Sequence, residues 1–476
     1  MKILLLNAPP FKELGVTGQM YPPLGIMYLA SYSRKHYSGL QIQVLDGYKE
    51  DRKKLVDRIN RFDPDILGIS FTTQAARGAF SFVNEFREIN SKAVVVAGGA
   101  HPTAFPEDCF NKSKLDLIVL GEGEITFLEI LKSYPNFDNL ENFPGIAYKK
   151  NGHIYKTEPR GLIKNLDEIP FPARDLLDIT QYSGHHYKKM RFDTDIISGR
   201  GCPFNCVYCS NPVWKLQKPW FRLRSPMNVV DEMQEIIDYY GIYEIFDETD
   251  EFNGNIKWAK DVCDEIIKRN INISWKAQMR VDHVDEELVS KLKDSGFWLA
   301  LFGLESANDR TLKGINKKQT LNQMESALTL MKNKNIKCFG LFMAFNVWEE
   351  KGILSYEDKE ASLNTFRYIK KLLRESKIDL FGWSMTTPYP GSNLYNIAIK
   401  HKLIPDDKID NWELFDSGSN FVMELPTVSK MDWKYVHIMG KILQAKLLLK
   451  SGLINRKSFF VYIKKIISLI KGLFRS

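Results

Sequence analysis

The tightest constraint in this 476-residue chain is a spacing. Ser198-Gly-Arg-Gly-Cys202-Pro-Phe-Asn-Cys206-Val-Tyr-Cys209 puts three of its six cysteines within eight residues. A short apolar run, Asp195–Ser198, precedes them and reads as a strand, so the thiols fall on the loop that leaves it. Structural zinc closes its shell with four ligands, and the other cysteines, Cys109, Cys263 and Cys338, stand alone with no second Cys or His pair at suitable spacing. A cubane iron–sulfur cluster held by three thiolates leaves one iron open to a small ligand. Zinc and unpaired core thiols are the other readings of the same residues. Six cysteines are too few for a secreted disulfide scaffold, and MKILLLNAPP is broken by proline too soon for a signal peptide. The chain is expected to be cytoplasmic. No apolar stretch reaches 18 residues, so none is expected to span a bilayer, while peripheral membrane attachment stays open.

Around the cysteines the chain alternates short apolar runs with longer helical segments. In the first 130 residues the runs are KILLLN from Lys2, IQVLD from Ile42, DILGIS from Asp65, AVVVAGG from Ala93 and DLIVLGEGE from Asp116. Five buried strands with crossovers predict a parallel, doubly wound, Rossmann-like α/β sheet over residues 1–140. Ligands of such sheets sit at the carboxyl ends of the strands. Those ends carry Ser70, Thr72 and Thr73, then Gly98, Gly99, His101, Pro102 and Thr103, then Gly121, Glu122 and Glu124. Glycines admit close approach of a bulky ligand, and hydroxyls and backbone donors can hold amides or phosphates; the same glycines can equally just make tight turns. A proline-containing stretch at 141–187 reads as a linker with a small hairpin. Strands then recur at Asp195–Ser198, Glu244–Phe246, Ile273–Ala277, Trp298–Gly303, Lys337–Ala344 and Asp379–Met385, predicting six βα units and a partial barrel over 188–400.

The three-then-two spacing of the cysteines, with Tyr208 before the last, resembles the radical S-adenosylmethionine superfamily. The resemblance implies a partial (β/α)6 barrel, a 4Fe-4S cluster ligated by Cys202, Cys206 and Cys209, and S-adenosylmethionine on the open iron. It further implies that Tyr208 packs near the adenine and that Arg280, Glu305 and Ser306, at the ends of the third and fourth barrel strands, meet S-adenosylmethionine. YPPLG at Tyr21–Gly25, PDILGIS at Pro64–Ser70, GGAHPT at Gly98–Thr103, GEGEITF at Gly121–Phe127 and LDEIPFPARDLL at Leu166–Leu177 resemble the subgroup with an N-terminal cobalamin-binding domain. FRLRSP from Phe221, GLES from Gly303 and TPYPGSNLY from Thr387 fit it too. Cobalamin is then expected at the strand ends named above, with no histidine on cobalt, because DxHxxG is absent. The implied activity is methylation of an unactivated carbon through a 5′-deoxyadenosyl radical and methylcobalamin. Cyclisation, ring rearrangement or oxidation with the same cofactors is the rival reading, and a noncatalytic membrane-associated regulator is a further one. A flavodoxin- or ferredoxin-type electron donor and a small-molecule, lipid or natural-product substrate are the implied partners.

Two features depart from that pattern or stand outside it. The turn after the fifth barrel strand reads AFNVWEEKG from Ala344, where relatives carry glycine and proline before an acid, and this points to a specialised substrate pocket. The acidic run Asp247-Glu-Thr-Asp-Glu251 follows the second strand and either faces the site or forms a solvated turn.

Charge singles out the C-terminal region, 401–476. Eleven basic residues and one acid fall between Lys430 and Ser476, leaving 55 basic against 57 acidic residues in the body, a balance that argues against a nucleic-acid groove. Phe459, Ile463, Ile466, Ile467, Ile470, Leu473 and Phe474 recur at helical spacing opposite Lys457, Lys464, Ser468, Lys471 and Arg475. Such a helix either lies on an anionic membrane or docks on the protein.

Overall fold

The computed structural model describes residues 1–11, 21–182, 187–418 and 420–450, and the expected amphipathic helix at Lys457–Arg475 lies outside them. The chain forms two compact units. The first holds Met1–Ser183 together with Ser210–Arg222 and Asn411–Glu413; the second holds Gly184–Cys209, Leu223–Asp410 and the described residues from Leu414 onward.

In the first unit the apolar runs become strands because both their faces are covered. Ile3, Leu4, Leu5 and Leu6 are each at most 1% exposed, the pattern of a parallel sheet sandwiched by helices. The strands are β1 (Lys2–Asn7), β2 (Gln41–Asp46), β3 (Ile66–Ser70), β4 (Val94–Gly98), β5 (Leu117–Val119), β6 (Ile146–Lys150) and β7 (His153–Lys156). Their order is β2-β1-β3-β4-β5-β6-β7, with β1 to β5 parallel and β6 and β7 added antiparallel as a hairpin. An order of 2-1-3-4-5 places the carboxyl ends of β3, β4 and β5 side by side on the ligand-binding edge of a doubly wound sheet.

The second unit carries six parallel strands in sequence order: Thr194–Ile196, Glu244–Asp247, Ser274–Met279, Phe297–Glu305, Lys337–Ala344 and Leu380–Met385. The first and last are sheet edges, so this sheet is open. The long helix packed after each strand carries a side-chain cap, although an uncapped helix, Asp309–Gly314, first follows the fourth strand. Ser225, Asn255, Asp285, Thr320, Asp358 and Ser392 accept from the N–H groups of Asn228, Trp258, Leu288, Gln323, Ala361 and Tyr395. Such caps are worth about 1 kcal/mol each, and they fix where each helix starts, leaving the residues between strand and cap for a site.

Ions close the amino end of this sheet. The fully buried Lys276 donates to Asp193 Oδ2 at 2.9 Å, Glu244 Oε1 at 3.3 Å and the Tyr187 carbonyl at 3.2 Å. Glu244 Oε2 in turn accepts from the amides of Lys189 and Met190, both at 2.6 Å. On the sixth strand, the helix Lys430–Lys450 is fastened by Lys441 Nζ to the Trp383 carbonyl (3.2 Å) and Gln444 Nε2 to the Phe381 carbonyl (3.0 Å). No helix among the described residues is long and apolar enough to cross a membrane.

Candidate functional site

The cysteine loop leaves the carboxyl end of the first strand of the second unit. Its backbone is tied down on several sides: Val207 N–H donates to Ile315 O (2.9 Å), Leu394 N–H to Val207 O (2.8 Å), Asn316 Nδ2 to Asn205 O (2.8 Å) and Cys209 N–H to Cys206 O (3.2 Å). Cys202, Cys206 and Cys209 are partly exposed, whereas Cys109, Cys263 and Cys338 are buried. Burial pushes the Cys202 thiol up to about 12, so its thiolate at neutral pH needs a cation bound directly to sulfur. An iron corner supplies one. Three thiols on one pinned loop are a donor set that fits a cluster with several metal corners.

Tyr208, inside this loop, reaches the end of the fourth strand. Its hydroxyl donates to Glu305 Oε1 at 2.7 Å, and Lys317 Nζ donates to the same oxygen at 2.9 Å and lies 3.2 Å from the Tyr208 oxygen. Burial works against the Lys317 ammonium, yet the charge of Glu305 together with that of Cys206 outweighs it and holds its pKa above the usual lysine value. Glu305 has φ 63°, a left-handed conformation that a side chain adopts only when its surroundings hold it there.

Arg280 follows the third strand. It forks onto Asp282 through two contacts of 2.9 Å, donates to the Lys317 carbonyl at 2.6 Å, and stacks its guanidinium 3.7 Å from the centre of the Phe204 ring. Phe204 sits between the first two cluster-loop cysteines in sequence. The backbone of Arg280 is clamped by buried Asn253, which accepts from its N–H (2.9 Å) and donates to its carbonyl (2.9 Å) and to that of His283 (2.7 Å). The structure thus gathers Tyr208, Arg280, Glu305 and the cysteine loop through Lys317 and Phe204.

Ser306 lies one residue beyond Glu305 and belongs to a different network. Its hydroxyl donates to Glu357 Oε1 at 2.6 Å, and Glu357 Oε2 accepts from Asn346 N–H (3.2 Å) and Nδ2 (2.9 Å). In the turn after the fifth strand a hairpin pairs Val347–Glu350 with Ile353–Tyr356, and buried Glu357 follows it.

The acidic run is a buried element of the site. Asp247 is 0% and Glu251 6% exposed. Asp247 Oδ1 accepts from the amides of Ser198 (3.2 Å) and Thr249 (3.1 Å), while Glu251 Oε1 finds no hydrogen-bond partner. Burial pushes Asp247 up to about 6, Glu248 to about 7 and Glu251 to about 8, against the pull of Lys317 and Arg280 on Glu251. Glu251 therefore stays protonated in the native state while the unfolded chain ionises near 4.5, so its contribution to stability falls as pH rises from there to about 8. Glu251→Gln is expected to raise the thermal unfolding midpoint of the iron-free protein at pH 8, with the gain shrinking toward pH 5. An equal gain at both pH values would refute the titration.

In the first unit, the three predicted turns stand on adjacent strands. Thr103 Oγ1 accepts from Gly121 N–H at 3.1 Å, joining the turn after β4 to the turn after β5. Gly98 ends β4, and a Cβ there would make only ordinary contact with Val119, 3.9 Å from its O and 4.0 Å from its Cβ. His101 is fully buried, its Nδ1 3.2 Å from Thr73 Oγ1 and its Nε2 3.2 Å from Asp108 Oδ2. Burial holds its pKa below the usual histidine value, and the neutral ring accepts from Thr73 and donates to Asp108, leaving neither nitrogen free. Trp412, from the short segment returning late in the chain, donates to Asp108 Oδ2 (2.7 Å) and packs on the rings of His101 and Phe105. Glu122 pairs with Arg222, and Glu124 is buried in the first turn of the helix Glu124–Ser133. With both ring nitrogens of His101 engaged, these turns offer no free imidazole.

Asn253, Lys317, Glu357 and Trp412 were not signalled by the sequence. None lies in a motif, and each acts through a partner far away in the chain.

Comparison with known proteins agrees with this geometry. Residues 14–131 match the B12 binding domain, and residues 196–355 match the radical SAM superfamily. A methyltransferase of Pyrococcus horikoshii, itself uncharacterized, is 35% identical over 410 residues, covering 85% of this chain and 84% of the relative. An anaerobic magnesium-protoporphyrin IX monomethyl ester cyclase of Rubrivivax gelatinosus is 28% identical over 425 residues, 87% of this chain and 71% of the relative. Among solved structures, the radical S-adenosylmethionine methyltransferase TsrM of Kitasatospora setae, with cobalamin and a 4Fe-4S cluster bound, superposes with a TM-score of 0.69 over 96% of this chain and 89% of that one; at 16% identity this is a likeness of fold. With a cysteine loop for a 4Fe-4S cluster and S-adenosylmethionine on one sheet and a B12 domain on the other, the chain belongs to the cobalamin-binding radical S-adenosylmethionine enzymes.

Proposed function

We propose that this enzyme methylates an unactivated carbon of a lipid or natural-product-type substrate. The observation that carries the reading is the likeness to a methyltransferase along 85% of the chain, in a protein that retains the cysteine loop on one sheet and the glycine-lined turns on the other. When bound, the cluster and S-adenosylmethionine supply a radical initiator and the cobalamin supplies a methyl carrier. The chain's own residues hold and orient these groups. Cys202, Cys206 and Cys209 ligate the cluster. Tyr208, Arg280, Glu305 and Ser306 hold S-adenosylmethionine, with Lys317 fixing Glu305 and Glu357 fixing Ser306. Ser70, Thr72, Thr73, Gly98, Gly99, Pro102, Thr103, Gly121 and Glu124 line the cobalamin turns, with His101 and Glu122 shaping them from behind.

The cyclase relative favours a second reading, in which the same cofactors drive ring closure. Product analysis under anaerobic conditions, with a flavodoxin- or ferredoxin-type reductant, separates the two. Methylation predicts S-adenosylhomocysteine together with 5′-deoxyadenosine in substrate-dependent amounts. 5′-Deoxyadenosine without S-adenosylhomocysteine would overturn methylation in favour of cyclisation.

A further inference from the structure

We propose that the segment Ser210–Arg222 is part of the cobalamin site, with Leu216 packing against the corrin and the Arg222–Glu122 pair holding the turn that receives it. The inference rests on the reading that the turns after β4 and β5 hold cobalamin. Only its last two residues, Phe221 and Arg222, fall in a motif, FRLRSP. It follows the last cluster cysteine directly, yet it belongs to the first unit.

The turn Asn211–Trp214 packs against the helix Ala100–Ala104, which carries His101 and Thr103. Gln217 Nε2 donates to Pro159 O at 2.7 Å and fixes the next stretch. Between these anchors Leu216 is 40% exposed, although it lies directly over the turn after β5. Gly121 has φ 77°, and a Cβ there would stand 3.0 Å from Leu216 Cδ1, so the glycine is what lets the leucine come so close. On the neighbouring strand, a Cβ on Gly98 would meet nothing but Val119, at 3.9–4.0 Å. At the far end of the segment Arg222 pairs with both carboxylate oxygens of Glu122 and donates to Ile163 O at 2.6 Å.

A corrin is a broad apolar ring rimmed by neutral amides. It is matched by a partly exposed apolar side chain over a glycine turn, with hydroxyls and backbone N–H groups nearby. The Arg222–Glu122 pair is internally neutralised, so it stiffens the turn without presenting a net charge to a neutral ligand. A leucine held rigidly on both sides and left partly bare has the shape of a contact that the cofactor completes.

The test uses the full-length protein reconstituted with iron, sulfide and hydroxocobalamin, then desalted and assayed for cobalamin by absorbance and for iron. Leu216→Ala is expected to weaken cobalamin retention by about tenfold, the loss that removing one buried leucine contact carries, with iron unchanged. Leu216→Trp, which overfills the turn, is expected to abolish retention. Wild-type cobalamin content in Leu216→Ala, with iron retained, would overturn the proposal, and that variant decides alone should Leu216→Trp lose iron as well. Gly99→Val separates this inference from the reading beneath it. If Gly99→Val loses cobalamin while both Leu216 variants keep it, the turns stand and Leu216 falls; if Gly99→Val also keeps it, the reading of the turns falls too.

Discussion

Cys202→Ala is expected to reduce iron from about four atoms per chain to near zero while leaving cobalamin bound. Cys202 shares the pinned loop with Cys206 and Cys209, and burial disfavours its thiolate unless a metal pairs with it. Two remaining thiols cannot hold a cubane with one corner open, so reductive cleavage of S-adenosylmethionine is expected to disappear with the iron. Cys263→Ala and Cys338→Ala serve as controls: both thiols are buried in the second unit and their loss is expected to leave iron unchanged. Iron and sulfide analysis with electron paramagnetic resonance of the reduced protein reads the outcome. Iron persisting in Cys202→Ala, or zinc in its place in the native protein, would overturn the ligand assignment.

The reciprocal result is expected for Gly99→Val, with cobalamin lost and iron kept. Gly99 has φ 101°, outside the range open to a β-branched residue, and a Cβ there would stand 2.8 Å from Phe71 O and 2.9 Å from Ser70 Oγ. Strain of this kind costs on the order of 1–3 kcal/mol, and relief requires the turn after β3 or the turn after β4 to move. Both turns are assigned to the cobalamin cradle, so retention of cobalamin after desalting is expected to fall at least about tenfold. Unchanged cobalamin content in a variant that still carries its iron would exclude these turns as the binding site. Together the two substitutions should separate the cofactors cleanly, each removing one and sparing the other.

The parts of this architecture that were legible in the sequence are those written locally. Apolar runs such as KILLLN and AVVVAGG mark strands because a parallel sheet covers both faces and leaves no need for polar alternation. The cysteine loop was legible because three thiols at fixed spacing have few uses. What was hidden depends on distant partners. Asp247 reads as one charge in an acidic run, and only the amides of Ser198 and Thr249 reveal why it is buried. Glu357 follows the hairpin after the fifth strand, and only its bond to Ser306, 51 positions earlier, ties it to the end of the fourth strand. Trp412 lies 304 positions beyond the Asp108 it binds, a separation across which no periodicity or spacing rule reaches.

The late return of Trp412 also sets an order of events during synthesis. Thr73, His101 and Asp108 leave the ribosome early, but the indole that covers them is encoded about three hundred codons later. At roughly 5–20 residues per second, that interval is on the order of tens of seconds. For that time His101 and Phe105 lack the indole that packs on them, and Asp108 lacks its indole donor. The aromatic cluster around His101 is therefore completed only after translation has passed residue 412 and the returning segment has reached Asp108.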